Sequence, residues 1–232
     1  MVNRDIEIYM DQLSERPFFK IFSAEDVGQI KNESLIRQYN KGQIIFYEHD
    51  PKNYYYFVLQ GLIKIEKLSY DGEHNYIDFV TLNSFFSYSE LFSESHHQYT
   101  GHAETNTTLL MIPTQTFDNI ISEAPNLLIK MYRNMADVLR YHEKRIQLTS
   151  VSSAAERVEF MIALWMYDLG IKNDDMIVIP YPLTIIQLSE VAGTTRETAG
   201  KVVKWLTEDG KIKYSRKKID ILDVEYFSNL IS

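Results

Sequence analysis

Leu183-Thr-Ile-Ile-Gln-Leu-Ser-Glu-Val-Ala-Gly-Thr-Thr-Arg-Glu-Thr-Ala-Gly-Lys-Val-Val-Lys-Trp-Leu206 is the stretch that decides how this chain is read. Thr184-Ile-Ile-Gln187 has the spacing of a capping box, which satisfies two orphan backbone donors at a helix start, and it predicts a short helix ending near Ala192-Gly193. Thr194-Thr-Arg-Glu197 repeats that spacing and predicts a second helix, carrying Val202, Val203, Trp205 and Leu206 and stopping at Gly210. Two capped helices meeting at a tight glycine turn are the pattern of a helix-turn-helix, whose second helix places its N-terminal residues on base edges in the major groove. Lys211 to Leu222 (KIKYSRKKIDIL) then reads as a basic hairpin, the wing.

Charge is distributed accordingly. Between Thr194 and Lys218 there are eight basic residues against three acids, a net of +5, whereas Ile44 to Thr105 carries three lysines against nine acids, a net of −6. A basic run alone reads as a solvated face. Beside a capped helix pair it reads as the phosphate-binding surface of an otherwise acidic protein of formal charge −8.

Upstream, Ser153-Ala-Ala-Glu156 again has capping-box spacing and opens a helix through Met161, Ile162, Leu164 and Trp165 to Gly170. Before it, Pro125 to about Thr149 contains no further proline and no glycine, and predicts a helix of roughly 37 Å at 1.5 Å per residue. Leu128, Met131, Met135, Val138 and His142 draw one largely apolar stripe along it at 3-4-3-4 spacing. The spacing leaves two partners open: the chain's own β domain, or a second copy across a two-fold seam. From Lys41 to Pro113 the chain breaks into β-branched and aromatic runs: QIIFYEH, YYYFVLQ, LIKIEKLS, YIDFVTL and TTLLMIP. In the third run Ile63 and Ile65 share one face while Lys64 and Glu66 share the other, and Asp71-Gly72 after it signals a hairpin turn. The expectation is an α+β chain: an antiparallel β sandwich or roll over 1–124, a long helix over 125–150 whose dimerisation role the spacing leaves open, and a winged helix-turn-helix over 151–232.

Composition sets the outer bounds. The 232 residues, 45% hydrophobic, suffice for an ordinary core. No stretch approaches the roughly 18 apolar residues of a membrane span, and MVNRDIEIYMDQL lacks a signal-peptide core, so a cytoplasmic protein is expected. Zero cysteine excludes disulfides, thiolate-held iron-sulfur clusters, cysteine zinc sites and cysteine nucleophiles. There is no phosphate-cradling glycine loop, no G-x-S-x-G and no H-E-x-x-H, so no catalytic residue is assigned and no enzyme is expected. His96, His97 and His102 with Glu94 and Glu104 are of metal-ligating type, but their spacing matches no ligand pattern; a solvated loop is the preferred reading, with no metal and no cofactor.

Over nearly its whole length the sequence resembles the CRP/FNR family of bacterial transcription regulators. Residues 183–206, with Arg196-Glu-Thr-Ala-Gly-Lys201, carry most of the likeness; Lys41-Gly42, Asp50-Pro51, Tyr56 to Gly61, Asp71-Gly72 and Ala155-Glu-Arg-Val158 add to it. The resemblance implies a homodimer on double-stranded DNA, at a palindrome whose half-site is similar to TGTGA. It implies that Arg196, Glu197 and Lys201 read bases, and that Thr184, Thr195, Arg216 and Lys217 lie near phosphates, with Lys204 expected beside them. Arginine offers guanine O6/N7 a bidentate fork and glutamate accepts from cytosine N4; Lys201, where arginine is more usual, weakens the bidentate geometry. Leu128, Met131, Met135, Val138 and His142 would form the dimer seam. An activator of this kind would also contact RNA polymerase, for which no separate signal is present.

The family's cyclic-nucleotide pocket is missing. Its Gly-Glu and Arg-Ser/Thr pairs align with Ser87-Tyr88 and Gln98-Tyr99, and no arginine occurs between Arg37 and Arg133 to pair a phosphate. Cyclic AMP is therefore disfavoured and the effector is left unknown, a constitutive regulator included. Tyr54, Tyr55, Tyr56, Phe57, Phe85, Phe86, Tyr88, Phe92 and Tyr99 are expected to fill the roll. The rival reading is a small-molecule-binding regulatory module whose helix pair contacts protein; a cupin-type enzyme, which would need metal, is the second.

Overall fold

Residues 4–69, 75–86, 91–92 and 95–231 are described by the computed structural model, so the Asp71-Gly72 turn, Ser87-Tyr88 and Glu94 lie outside the described residues. The chain forms two compact units, Met1–Asp137 and Val138–Ser232. The division falls inside the long helix.

The first unit opens with α1 (Arg4–Asp11), two 3-10 turns and α2 (Ala24–Glu33). Ser23 caps α2 reciprocally: its hydroxyl accepts from Asp26 N–H at 3.0 Å while its own N–H donates to the Asp26 carboxylate at 3.1 Å. Then come β1 (Leu35–Tyr39), β2 (Ile44–Phe46), β3 (Tyr54–Gln60), β4 (Ile63–Leu68), β5 (Asn75–Val80), β6 (Phe85–Phe86), β7 (Thr100–Ala103) and β8 (Thr107–Pro113), followed by α3 (Thr114–Glu123) and α4 (Pro125–Thr149). They build two antiparallel sheets, ordered β1-β8-β3-β6 and β2-β7-β4-β5. Each of the five runs contains a strand. The alternation read in the third holds: Ile63 and Ile65 are buried, while Lys64 and Glu66 are half-buried and paired with each other. Gly61 turns the chain from β3 into β4 at φ +96°, where a Cβ would lie 2.6 Å from the Asn106 carbonyl oxygen. No larger residue fits there.

The aromatic group does not fill one interior as expected. Because successive strand residues face opposite ways, Tyr55, Phe57 and Phe85 point outward from the first sheet into a core shared with Phe18, Phe19 and Phe117. Tyr56 and Phe86, with Tyr54 and Tyr99 against them, point into the roll. Phe92, at φ +61°, is exposed. In the outer core the rings meet edge-on or stacked, at 4.9 Å between Phe19 and Phe57 and 4.8 Å between Phe85 and Phe117.

The long helix has the bounds its sequence predicts, and its apolar residues divide. Leu127 and Met131 pack into the outer core of the first unit, at 3% exposure each. Leu128, Met135 and Val138 are exposed, together with Ile129, Tyr132, Leu139 and Ile146. Met131 thus faces its own chain's core, because a helix entering beside α3 must bury one stripe against the sheet before it leaves it. The exposed residues Leu128, Tyr132, Met135, Leu139 and Ile146, with half-buried His142 among them, follow 4-3-4-3-4 spacing, a second stripe displaced from the first.

The second unit continues with α5 (Ala154–Leu169), β9 (Ile171–Asn173), β10 (Met176–Ile179), α6 (Ile185–Val191), α7 (Arg196–Glu208), β11 (Ile212–Tyr214), β12 (Ile219–Ile221) and α8 (Val224–Leu230). Its sheet runs β11-β12-β10-β9, antiparallel throughout. Met161, Ile162, Leu164 and Trp165 are buried, as a central helix requires. Among the described residues no helix is long and apolar enough to cross a membrane.

Candidate nucleic-acid interface

The helix pair is assembled by local chemistry. Thr184 caps α6 with a complete box: its hydroxyl accepts from Gln187 N–H at 3.1 Å, and its N–H donates to Gln187 Oε1 at 2.8 Å. The turn follows Ala192, with Gly193 at φ +57° and Thr194 N–H donating to Ser189 O at 2.9 Å. Helix α7 begins one residue later than its sequence predicts. Thr195, not Thr194, is the cap, and its hydroxyl accepts from Thr198 N–H at 3.2 Å. Glu197 accordingly closes no box, because its carboxylate meets Lys201 Nζ at 2.7 Å one helical turn on. That ammonium holds the Glu197 carboxyl below the usual range.

The register of α7 separates two faces. Ala199, Val202, Val203 and Leu206 are buried, while Arg196, Glu197, Lys201 and Lys204 are exposed. Thr184 and Thr195 are exposed at the two helix starts. Arg216 and Lys217 lie exposed at the tip of the β11–β12 hairpin, where Ser215 Oγ accepts from Lys217 N–H at 3.3 Å and Lys218 N–H at 3.1 Å. The Tyr214 hydroxyl donates to Leu183 O at 2.8 Å and ties this wing to the start of α6. Of the eight basic residues, Lys211 does not join this surface. Its side chain is 17% exposed, pairs with Asp209 and lies over the rings of Trp205 and Tyr226, at 5.7 and 4.6 Å.

Arg157 went unassigned in the sequence because one arginine in a helix carries no spacing signal. Its Nε donates to Ala192 O at 2.9 Å, one terminal nitrogen to Gly193 O at 2.9 Å, and the other to Val151 O and Ser152 O at 2.9 and 3.1 Å. One guanidinium therefore joins the segment before α5 to the turn between α6 and α7.

The three histidines of the first unit do not converge. His96 meets Ser95 Oγ at 2.8 Å, His97 stacks on Phe46 at 3.7 Å between centroids, and His102 pairs with Glu66 at 2.8 Å. Among the described residues no group of three or more His, Asp or Glu side chains is placed to hold a metal. Tyr99 packs on the roll interior, its ring 5.8 Å from Phe46, so neither Gln98 nor Tyr99 offers a cyclic phosphate a cation. The residues at 98–99 do not fit that ligand.

Two family models match the chain: the cyclic nucleotide-binding domain over residues 36–124 and the Crp-like helix-turn-helix domain over 161–230. The chain is 27% identical over 186 residues to the HTH-type transcriptional regulator ArcR of Staphylococcus haemolyticus, covering 80% of this chain and 82% of that protein. It is 24% identical over 216 residues to the Global nitrogen regulator of Synechocystis, covering 91% and 95%. The fold is similar to that of FixK2 from Bradyrhizobium japonicum, with a TM-score of 0.73 at 21% identity, covering 86% of this chain and 98% of that one. With a nucleotide-binding-type roll followed by a Crp-like helix-turn-helix, the chain belongs to the CRP/FNR family of transcription regulators.

Proposed function

We propose that the protein binds a palindromic operator as a homodimer, with Arg196, Glu197 and Lys201 on base edges and Thr184, Thr195, Lys204, Arg216 and Lys217 at phosphates. The observation that carries this reading is the two-faced α7, which buries Ala199, Val202, Val203 and Leu206 and leaves every base-reading candidate exposed on its N-terminal half. Glu197 and Lys201 already pair with each other, so each must exchange that contact for a base. In an exposed pair the exchange costs little. The dimer seam uses the outward stripe of α4, Leu128, Tyr132, Met135, Leu139, His142 and Ile146, with Val138 beside it; a dimer would cover apolar side chains that one chain leaves in water. The domains fall at 1–124, 125–150 and 151–232, with the helix as the connecting lever.

Selection of purified, effector-free protein on a random duplex pool tests this. The expected result is a recurrent palindrome with half-site centres about 34 Å apart, one DNA turn. Affinity should fall with salt at a log-log slope of about −0.9 per phosphate contact. A helix pair that contacts protein instead would enrich no sequence and show no such slope.

A further inference from the structure

The first unit has an open pocket of about 260 Å³, walled by β1, β2, β3, β8 and the segments before β3 and β7. Counting arginines along the sequence excluded a guanidinium from the run after Arg37, but β1 brings Arg37 itself to this cavity. Its guanidinium lies 5.0 Å from the Tyr39 ring; among the described residues it makes no ion pair. Asp50 opens onto the same space. One of its oxygens, Oδ2, accepts from Tyr47 N–H at 2.9 Å, and Oδ1 has no hydrogen bond among the described residues.

Aromatic rings form much of the remaining wall, beside Ile45, Pro51, Asn53 and Met111. Phe46 stacks on His97 at 3.7 Å, and Tyr56 lies 5.1 Å from Phe46. The segment carrying His97 is strapped to the turn carrying Asp50 by three main-chain bonds: His49 N–H to His97 O at 2.8 Å, His97 N–H to Asp50 O at 2.9 Å and Lys52 N–H to Ser95 O at 2.8 Å. The pocket is open to solvent and its lining mixes aromatic and polar groups, and its volume lies below the roughly 300–1,000 Å³ of drug-sized pockets, a size suited to a small polar ligand.

One cation and one anion that do not pair with each other call for a ligand carrying both opposite charges. A simple anion would satisfy Arg37 and be repelled by Asp50; a simple cation would meet the reverse. We propose that this cavity binds a free α-amino acid or a close analogue, its carboxylate on the Arg37 fork, its ammonium on Asp50 and its side chain against Phe46, Tyr56 and His97. The site borders Tyr99, whose ring lies 5.8 Å from Phe46, and it makes no use of the DNA-binding unit.

The test uses the full chain without DNA. Each free amino acid is screened by thermal unfolding, and those that stabilise are titrated by calorimetry beside the matching 2-oxo acid, the matching decarboxylated amine and cyclic AMP. The expected result is that at least one amino acid binds and that both deleted analogues bind about tenfold or more weakly, as loss of a charge-assisted contact implies. Arg37→Gln and Asp50→Asn, checked to melt like the parent without ligand, should each weaken binding by a similar factor. Stabilisation by no amino acid, equal binding of the 2-oxo acid or of cyclic AMP, or retention of affinity in both variants would overturn the proposal. A protein that selects a palindrome yet binds no amino acid refutes this site and leaves the DNA reading standing.

Discussion

Arg196, Glu197, Lys201 and Lys204 share one helix, whereas Arg37, Asp50, Tyr56 and His97 reach their cavity from four separate segments of the roll. The first set is placed by a cap, a helical period and a buried face, all of which act over a few residues. The second is placed by strand pairing between residues far apart in the chain, such as Arg37 opposite Leu109 and Tyr56 opposite both Met111 and Phe86. A surface made from one helix announces itself in sequence. A cavity made from a sheet does not.

The stability of the two units should respond as differently as they are built. Phe57, fully buried among Phe18, Phe19 and Leu110, is the test of the roll: Phe57→Ala should cost about 3–5 kcal/mol. Both tryptophans, Trp165 and Trp205, lie in the second unit, so urea unfolding followed by tryptophan emission should move less than unfolding followed by tyrosine emission. Shifts of equal size would erase the distinction between the units.

Arg157 probes the local side of the comparison. Arg157→Met would strip hydrogen bonds from four main-chain carbonyls, and a cost of about 1–3 kcal/mol in the tryptophan-detected transition is expected. Operator affinity should fall with it. Arg157→Lys, which keeps the charge but cannot span both segments, should recover only part of either quantity. Full recovery would mean that charge alone matters there.

Arg196→Ala acts on recognition without touching the core, since Arg196 is exposed. Operator affinity should drop by about 1–3 kcal/mol, with relaxed preference at one base pair and an unchanged melting temperature. An unchanged operator affinity would remove Arg196 from base reading. Thr195→Ala, the smallest of these changes, should cost about 1 kcal/mol of stability in the second unit through loss of the cap on Thr198 N–H. The same substitution at Thr194 should cost less, because Thr194 is not the cap.

Much of the fold was legible for reasons that can be named. Pro125 and the absence of later breakers mark α4, and Thr184-Ile-Ile-Gln187 marks α6. Thr194-Thr195 misled by one position because two adjacent threonines offer two possible caps, and Glu197 was free to choose Lys201 over the backbone. β6 and β7 escaped notice because strands of two and four residues are too short to show a period. Spacing places Met131 on the seam stripe of α4, whereas the core claims it, because helical spacing cannot say which of two overlapping stripes is covered by the chain's own core.

By itself, the sequence determined the elements whose signals are local: the capped helix pair, the basic wing, the long helix and the runs that become strands. Its lack of cysteine also excludes thiolate-held clusters, and the residues at 98–99 offer no cation to a cyclic phosphate. Tertiary structure alone decided which face of each aromatic strand meets which core, that Lys211 turns inward over two rings, that Arg157 clamps the turn, and that Arg37 and Asp50 share a cavity. The physical reason is range. Caps and helical periods are settled by neighbours in the chain, while burial and charge convergence depend on strand partners that only the packed sheets bring together.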